Sequence, residues 1–244
     1  VFGPATDAAL REFQRGVGVR ADGMCGPETF RALHRLTRRH GEGNAELLRE
    51  HDALLQTRSG VAGKIIVLDP SHEGLTPTVL DHVDDIVARV EGRLSILGTQ
   101  VILTRSVHGN RSAMPDAATR ARFANETGAD LFVSIHVDRC TSEQANGVAA
   151  FYFGDSRTGR SSIAGRVAAD RIHTAIRRRT DLADLRCHPA AWDMLRHTRM
   201  PAVALELGYA TNPGDAARLA RASFRDTLAE AISEAIVTFF APLD

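Results

Sequence analysis

Gly128-Ala129-Asp130-Leu131-Phe132-Val133-Ser134-Ile135-His136 is the stretch that decides how most of this chain folds. Leu131 to Ile135 is a short and nearly continuous apolar run, the pattern of a strand buried on both faces of a sheet. Helical spacing from Ala117 to Asn125 comes before it and ends near Gly128, and a histidine stands directly after it. The same alternation repeats outward in both directions. Ile65-Ile66-Val67-Leu68, Val101-Ile102-Leu103-Thr104, Val148 to Phe153 and Ala202-Val203-Ala204-Leu205 read as further strands. Asp84 to Leu97, Ser162 to Arg178, Asp215 to Leu219 and Phe224 to Phe240 read as helices. Such alternation predicts an α/β fold: a three-layer domain whose mostly parallel, twisted sheet is flanked by helices.

Polar residues follow three of these strands. His72 comes after Ile65–Leu68, His136 after Leu131–Ile135, and Glu206 after Ala202–Leu205. In open α/β sheets, ligands bind beyond the carboxyl ends of the strands. Two imidazoles and a carboxylate on one rim suit a zinc site, in which neutral histidines hold the metal and a carboxylate moves a proton. Each residue alone has a plainer reading: a histidine can cap a strand, and a glutamate ahead of Gly208 can brace a turn. Their coincidence at equivalent places carries the metal reading. Arg177-Arg178-Arg179 reads as a solvated helix end, and Trp192 as a core anchor or a sugar-stacking ring. Ser161-Ser162 and Thr211 have no base at a readable spacing, so a serine hydrolase is unsupported.

The amino-terminal end has a different texture. Phe2-Gly3-Pro4-Ala5-Thr6 returns as Cys25-Gly26-Pro27-Glu28-Thr29, and each Gly-Pro predicts a helix start with proline in the first turn. Ala9, Leu10 and Phe13 would share one face of the first helix, and Phe30, Leu33 and Leu36 one face of the second. Gly16 to Gly23 is a glycine-punctuated turn. The chain starts at Val1 inside this motif, and two small helices are less than a full core, so it is expected to be a fragment. The passage from Arg38 to Gly63 reads as a linker containing one amphipathic helix, Ala45 to Leu55. The expected domains are therefore 1–37, 38–63 and 64–244.

Composition narrows the function classes. The 244 residues are 43% hydrophobic and 25% charged, an ordinary globular balance, and the formal net charge of zero argues against a nucleic-acid binder. Lys64 is the sole lysine, and the bland explanation is a coding bias toward arginine and alanine. Cys25, Cys140 and Cys187 lack any CxxC spacing and make neither a disulfide framework nor a thiolate zinc site. No run approaches the ~20 apolar residues of a membrane span.

Two resemblances follow from these residues. Phe13-Gln14, Gly18, Asp22-Gly23 and both Gly-Pro-x-Thr elements resemble the helical peptidoglycan-binding repeat, which implies a module for glycan or stem peptide. Leu68-Asp69-Pro70-Ser71-His72-Glu73-Gly74, Leu103-Thr104-Arg105, Arg120 to Asn125, Gly128 to His136, and Met200-Pro201 through Glu206-Leu207-Gly208-Tyr209 to Asn212 resemble the N-acetylmuramoyl-L-alanine amidases, over about residues 64 to 240. The binding repeat and the Trp192-to-Pro201 stretch point to an actinobacterial branch of that family. The resemblance implies that His72 and His136 ligate zinc and that Glu206 is the catalytic carboxylate. It further implies that the bond cut joins N-acetylmuramic acid to L-alanine in peptidoglycan or a muropeptide.

One element departs from the family pattern. Its second zinc ligand is a glutamate, expected near Val79, but no glutamate lies between Glu73 and Glu91. Asp81 or His82 substitutes, or the ligand lies outside the given chain, or the site has decayed. The last case makes the chain a non-catalytic regulator or scaffold acting on cell-wall synthesis proteins. The compartment follows the choice: cell wall for an active amidase, cytoplasm for a regulator. A zinc peptidase acting within the stem peptide is the third reading.

Overall fold

The computed structural model describes residues 3–39 (side chains to 33), 58–70, 75–107 and 115–242. His72 and the expected helix Ala45–Leu55 lie outside the described residues. The chain divides into two compact units, Val1–Arg49 and Glu50–Asp244.

The first unit contains α1 (Pro4–Gly16) and α2 (Pro27–Arg39), each opening on the proline of a Gly-Pro pair. A hydrogen-bonded side chain fills the space between them. Gln14 is fully buried, and its Nε2 lies 2.9 Å from the Met24 carbonyl and 3.0 Å from both Asp22 Oδ1 and Thr29 Oγ1. Its Oε1 accepts from Gly23 N at 2.9 Å. Gly23 adopts φ +74°, and a Cβ there would overlap the Asp7 carboxylate, so the tight loop requires glycine. This polar staple sets which face α2 turns inward. Thr29 and Ala32 are buried, whereas Phe30 and Leu33, expected inside from their spacing, are exposed. The side chain of Leu36 lies outside the described residues.

In the second unit the sheet consists of β1 (Ile65–Pro70), β2 (Gln100–Leu103), β3 (Leu131–Asp138), β4 (Val148–Asp155), β5 (Arg160–Ser161), β6 (Asp184–Ala190) and β7 (Ala202–Tyr209). The order is β2-β1-β3-β7-β4, and β4 also carries β5 and β6. β2, β1, β3 and β7 run parallel, β4 runs antiparallel to β7, and β6 is parallel to β4. β6 has no apolar run to announce it. It contains Pro189, holds Arg186 at φ 67° and is largely exposed, features that a strand at the margin of a sheet tolerates.

The helices are α3 (Pro77–Ile96), α4 (Ala117–Glu126), α5 (Ile163–Arg179), α6 (Asp193–His197), α7 (Pro213–Ala220) and α8 (Ala222–Phe240). Strand parity sorts the core into two layers. Ile66, Leu68, Val133, Ile135, Val203 and Leu205 pack with apolar residues of α3, α5 and α8. Val67, Phe132, Ala202 and Ala204 face the other way, against Ala124 of α4 and Met194 and Leu195 of α6. Asn125 locks this thinner layer: its Nδ2 donates to the His197 carbonyl and its Oδ1 accepts from Arg199 N, both at 2.8 Å. Among the described residues, no helix is long and apolar enough to cross a membrane.

Candidate active site

The parity that sends Phe132 and Ala204 to the thinner layer also sends Ser134, His136 and Glu206 there, because side chains two apart share a face. Register then sets them side by side. Asp69 of β1 pairs with Ser134 of β3, and His136 of β3 pairs with Glu206 of β7. Three adjacent parallel strands thus deliver an acid, a hydroxyl, an imidazole and a second acid to one carboxyl-terminal rim. Strand register sets His136 beside Glu206, whereas the place of His72 is outside the described residues.

Below the rim, Asp69 is fully buried. It pairs with Arg120 of α4 at 2.9 Å and accepts hydrogen bonds from Thr104 Oγ1 at 2.6 Å and Ser134 Oγ at 2.7 Å. Ser134 Oγ lies in turn 2.7 Å from His136 Nε2. A second buried pair joins Arg105 to Asp84 of α3 at 2.6 Å, and Arg105 Nε donates to the Pro70 carbonyl at 3.0 Å. That pair anchors the end of β1 where the chain leaves toward His72. The sequence reading assigned no role to Asp69 or Ser134. The signal was present: Asp69 is a polar residue near the end of an apolar strand, and Ser134 interrupts one on the parity of His136.

Glu206 is half-buried, and burial lifts its carboxyl to about 7, with Asp138's negative charge adding to the effect. A weak hydrogen bond from Tyr209 Oη at 3.4 Å and the neighbouring His188 oppose the rise. Burial and Glu206 hold the Tyr209 phenol at about 12, so it stays a donor. The backbone behind this pair is tied by Asp215, whose Oδ2 accepts from Tyr209 N at 3.1 Å and Gly147 N at 2.9 Å. Gly208, at φ +124°, lies within β7 where its pairing with β3 shifts register between Glu206 and Tyr209.

A carboxyl raised on folding binds its proton more tightly in the folded chain, so its stabilising contribution is fully present below about pH 4.5 and is lost as pH rises through about 7. In chelator-treated protein, Glu206→Gln should therefore match wild type near pH 4.5 and be the more stable of the two at pH 8. Urea unfolding at the two pH values measures this, and equal stabilities at both would mean that Glu206 is well solvated.

The weaker candidates have structural roles. Ser162 caps α5 by accepting from Gly165 N at 3.0 Å, and Thr211 Oγ1 accepts from Cys140 N at 3.1 Å. Arg177 donates to the Leu182 carbonyl, and Arg179 pairs with Glu234. Trp192 lies against Phe151 with ring centroids 4.5 Å apart and remains 44% exposed. A cavity of about 420 Å³ lined by Arg171, Arg178 and Glu234 sits between α5 and α8, on the layer opposite the rim.

Residues 66–238 match the N-acetylmuramoyl-L-alanine amidase family. The chain belongs to that family. Residues 1–33 match a peptidoglycan binding domain. The N-acetylmuramoyl-L-alanine amidase CwlM of Mycobacterium tuberculosis is 40% identical over 96% of this chain. N-acetylmuramoyl-L-alanine amidase LytC of Bacillus subtilis is 27% identical over 76%. The chain spans 59% of the first relative's length and 37% of the second's. Among solved structures, the amidase AmiC2 of Nostoc punctiforme superposes with a TM-score of 0.63 at 26% identity, covering 73% of this chain and 98% of that one. The actinobacterial likeness expected from the binding repeat and the Trp192–Pro201 stretch agrees with the mycobacterial relative.

The second-ligand glutamate of the amidase pattern is expected near Val79, and α3 opens Pro77-Thr78-Val79 without a carboxylate. Asp81 or His82 is the substitute expected from the sequence. His82 has Arg225 of α8 as a charged neighbour, together with Asp81 and Asp85, and burial followed by Arg225 holds its imidazole below the usual range. α8 packs on the layer opposite the rim. Among the described residues, no three histidine, cysteine, aspartate or glutamate side chains converge closely enough to hold a metal ion.

Proposed function

We propose that the larger unit hydrolyses the amide bond between the lactyl group of N-acetylmuramic acid and L-alanine, and that the amino-terminal module docks it on peptidoglycan. The observation that carries the proposal is Glu206, a carboxyl near 7 placed in register beside His136 at the carboxyl ends of two parallel strands. An acid poised there exists in both protonation states near neutrality, as a group that must accept and then return a proton requires. Ionised Glu206 takes the proton of a water molecule whose oxygen attacks the amide carbonyl carbon. The same proton passes to the nitrogen of L-alanine as the C–N bond breaks, which leaves a free carboxyl on the lactyl group and a free amine on the peptide. Tyr209 Oη, which keeps its proton, orients the Glu206 carboxyl between the two transfers.

The donors fit zinc in kind, since imidazole and carboxylate both bind it. His72 and His136 would hold the ion. When bound, it would polarise the carbonyl and acidify the attacking water. Zinc content distinguishes this proposal from its rival. Purified protein is expected to carry about one zinc per chain, lost on His136→Ala or His72→Ala, and to release free peptide from a muramoyl-peptide, detected by mass spectrometry.

A second reading is favoured by one observation: the first turn of α3, where the family's ligand glutamate is expected near Val79, carries no acidic residue. On that reading the chain is an amidase-fold regulator or scaffold of cell-wall synthesis. Metal-free protein that folds normally, leaves the muramoyl-peptide intact with added zinc, and still binds muropeptide or a synthesis enzyme would replace the first proposal with the second.

A further inference from the structure

We infer that Asp69 and Ser134 are positioning residues that hold neutral His136 in the tautomer with its proton on Nε2, so that the Nδ1 lone pair is the one offered to a metal ion. The argument is proton accounting along one chain of contacts. Asp69 is fully buried and bound to the Arg120 guanidinium at 2.9 Å. A carboxylate in that pair has no proton to give and acts only as an acceptor. Thr104 supplies Oδ1 with a hydrogen bond at 2.6 Å, and Ser134 is the hydroxyl at Oδ2, 2.7 Å away. Among the described residues, the only other oxygen near Ser134 Oγ is the Asp69 carbonyl at 3.1 Å, also an acceptor. Ser134's single proton is therefore committed to Asp69 in either orientation.

The 2.7 Å contact between Ser134 Oγ and His136 Nε2 must then be donated by the ring. A neutral imidazole that donates from Nε2 carries its lone pair on Nδ1. Ser134 is itself fully buried, so no bulk water competes for its hydroxyl, and strand pairing of Asp69 with Ser134 keeps the relay in register. Carboxylates behind a ligating histidine commonly set its tautomer and orientation. Here the carboxylate acts through one intervening hydroxyl, and Arg120 from α4 pairs with it. The tautomer assignment stands on these contacts alone. Only its consequence for metal binding rests on the proposed amidase function.

The test is long-range ¹H–¹⁵N correlation of histidine-labelled, chelator-treated full chain at pH 8, with His136 assigned by its loss in His136→Gln. Wild type is expected to show the Nε2–H pattern. Ser134→Ala should shift His136 toward a tautomer mixture, and Ser134→Thr, which keeps a hydroxyl, should restore the wild-type pattern. In zinc competition against a chromogenic chelator, Ser134→Ala should bind about 10–100-fold more weakly than Ser134→Thr. An Nδ1–H pattern in wild type overturns the inference, and so does a Ser134→Ala spectrum unchanged from wild type. Wild type that shows Nε2–H but binds no zinc would sustain the relay while removing the metal-dependent amidase reading, so the two failures are distinguishable.

Discussion

Glu206→Gln is expected to lower amide cleavage by about 10²–10⁴-fold, the usual contribution of a positioned general base. Glutamine keeps the shape of the side chain and can still accept from Tyr209 Oη, so the fold should persist and substrate binding should change little. The loss belongs in kcat, because the missing proton transfer occurs only on the way to the transition state. Steady-state digestion of a muramoyl-peptide, with zinc content checked in parallel, measures it. Undiminished turnover by Glu206→Gln would remove this residue from the chemistry. The pH dependence carries a related expectation. With Glu206 titrating near 7, the base is half-ionised at neutrality, and cleavage should fall on the acid side as the carboxyl protonates.

Arg120→Ala is expected to cost about 3–5 kcal/mol of stability, the range for removing one partner of a buried ion pair. Its side chain is 7% exposed and that of Asp69 is 0% exposed, so water cannot readily replace the guanidinium. The Asp69 carboxylate would keep the hydroxyls of Thr104 and Ser134 but lose its only described counter-charge. Arg120→Lys should retain part of the stability, since it restores the charge without the planar fork. Thermal or urea unfolding of both variants provides the comparison. A loss for Arg120→Ala below about 1 kcal/mol, the scale of a surface pair, would show that Asp69 is not the buried charge described here.

Much of the larger unit was legible from pattern. The apolar runs at Ile65–Leu68, Leu131–Ile135 and Ala202–Leu205 became central strands because a strand covered on both faces needs no polar alternation. Helix starts were read several residues late where proline opened the helix, as at Pro77, seven residues before the predicted Asp84. β6 left no comparable trace, because a marginal strand is half solvated and carries charged residues and a proline. In the first unit, periodicity favoured Phe30 and Leu33 as core, but the space between the helices is taken by Gln14 and its hydrogen bonds.

The chemical types at the rim, an imidazole at 136 and a carboxylate at 206, follow from local order alone, since each stands at or just past the carboxyl end of an apolar run. Their pairing does not. That His136 and Glu206 are neighbours depends on β3 and β7 being adjacent, although 70 positions separate the two residues in the chain. The weakened acidity of Glu206 likewise arises from burial and from Asp138, which no linear pattern encodes. The Asp69–Ser134–His136 relay needs β1 beside β3 in one register, with Arg120 arriving from a helix on the correct face. Periodicity assigns a residue to a face, but only packing decides what stands opposite it, and charge, proton placement and reactivity all depend on that neighbour.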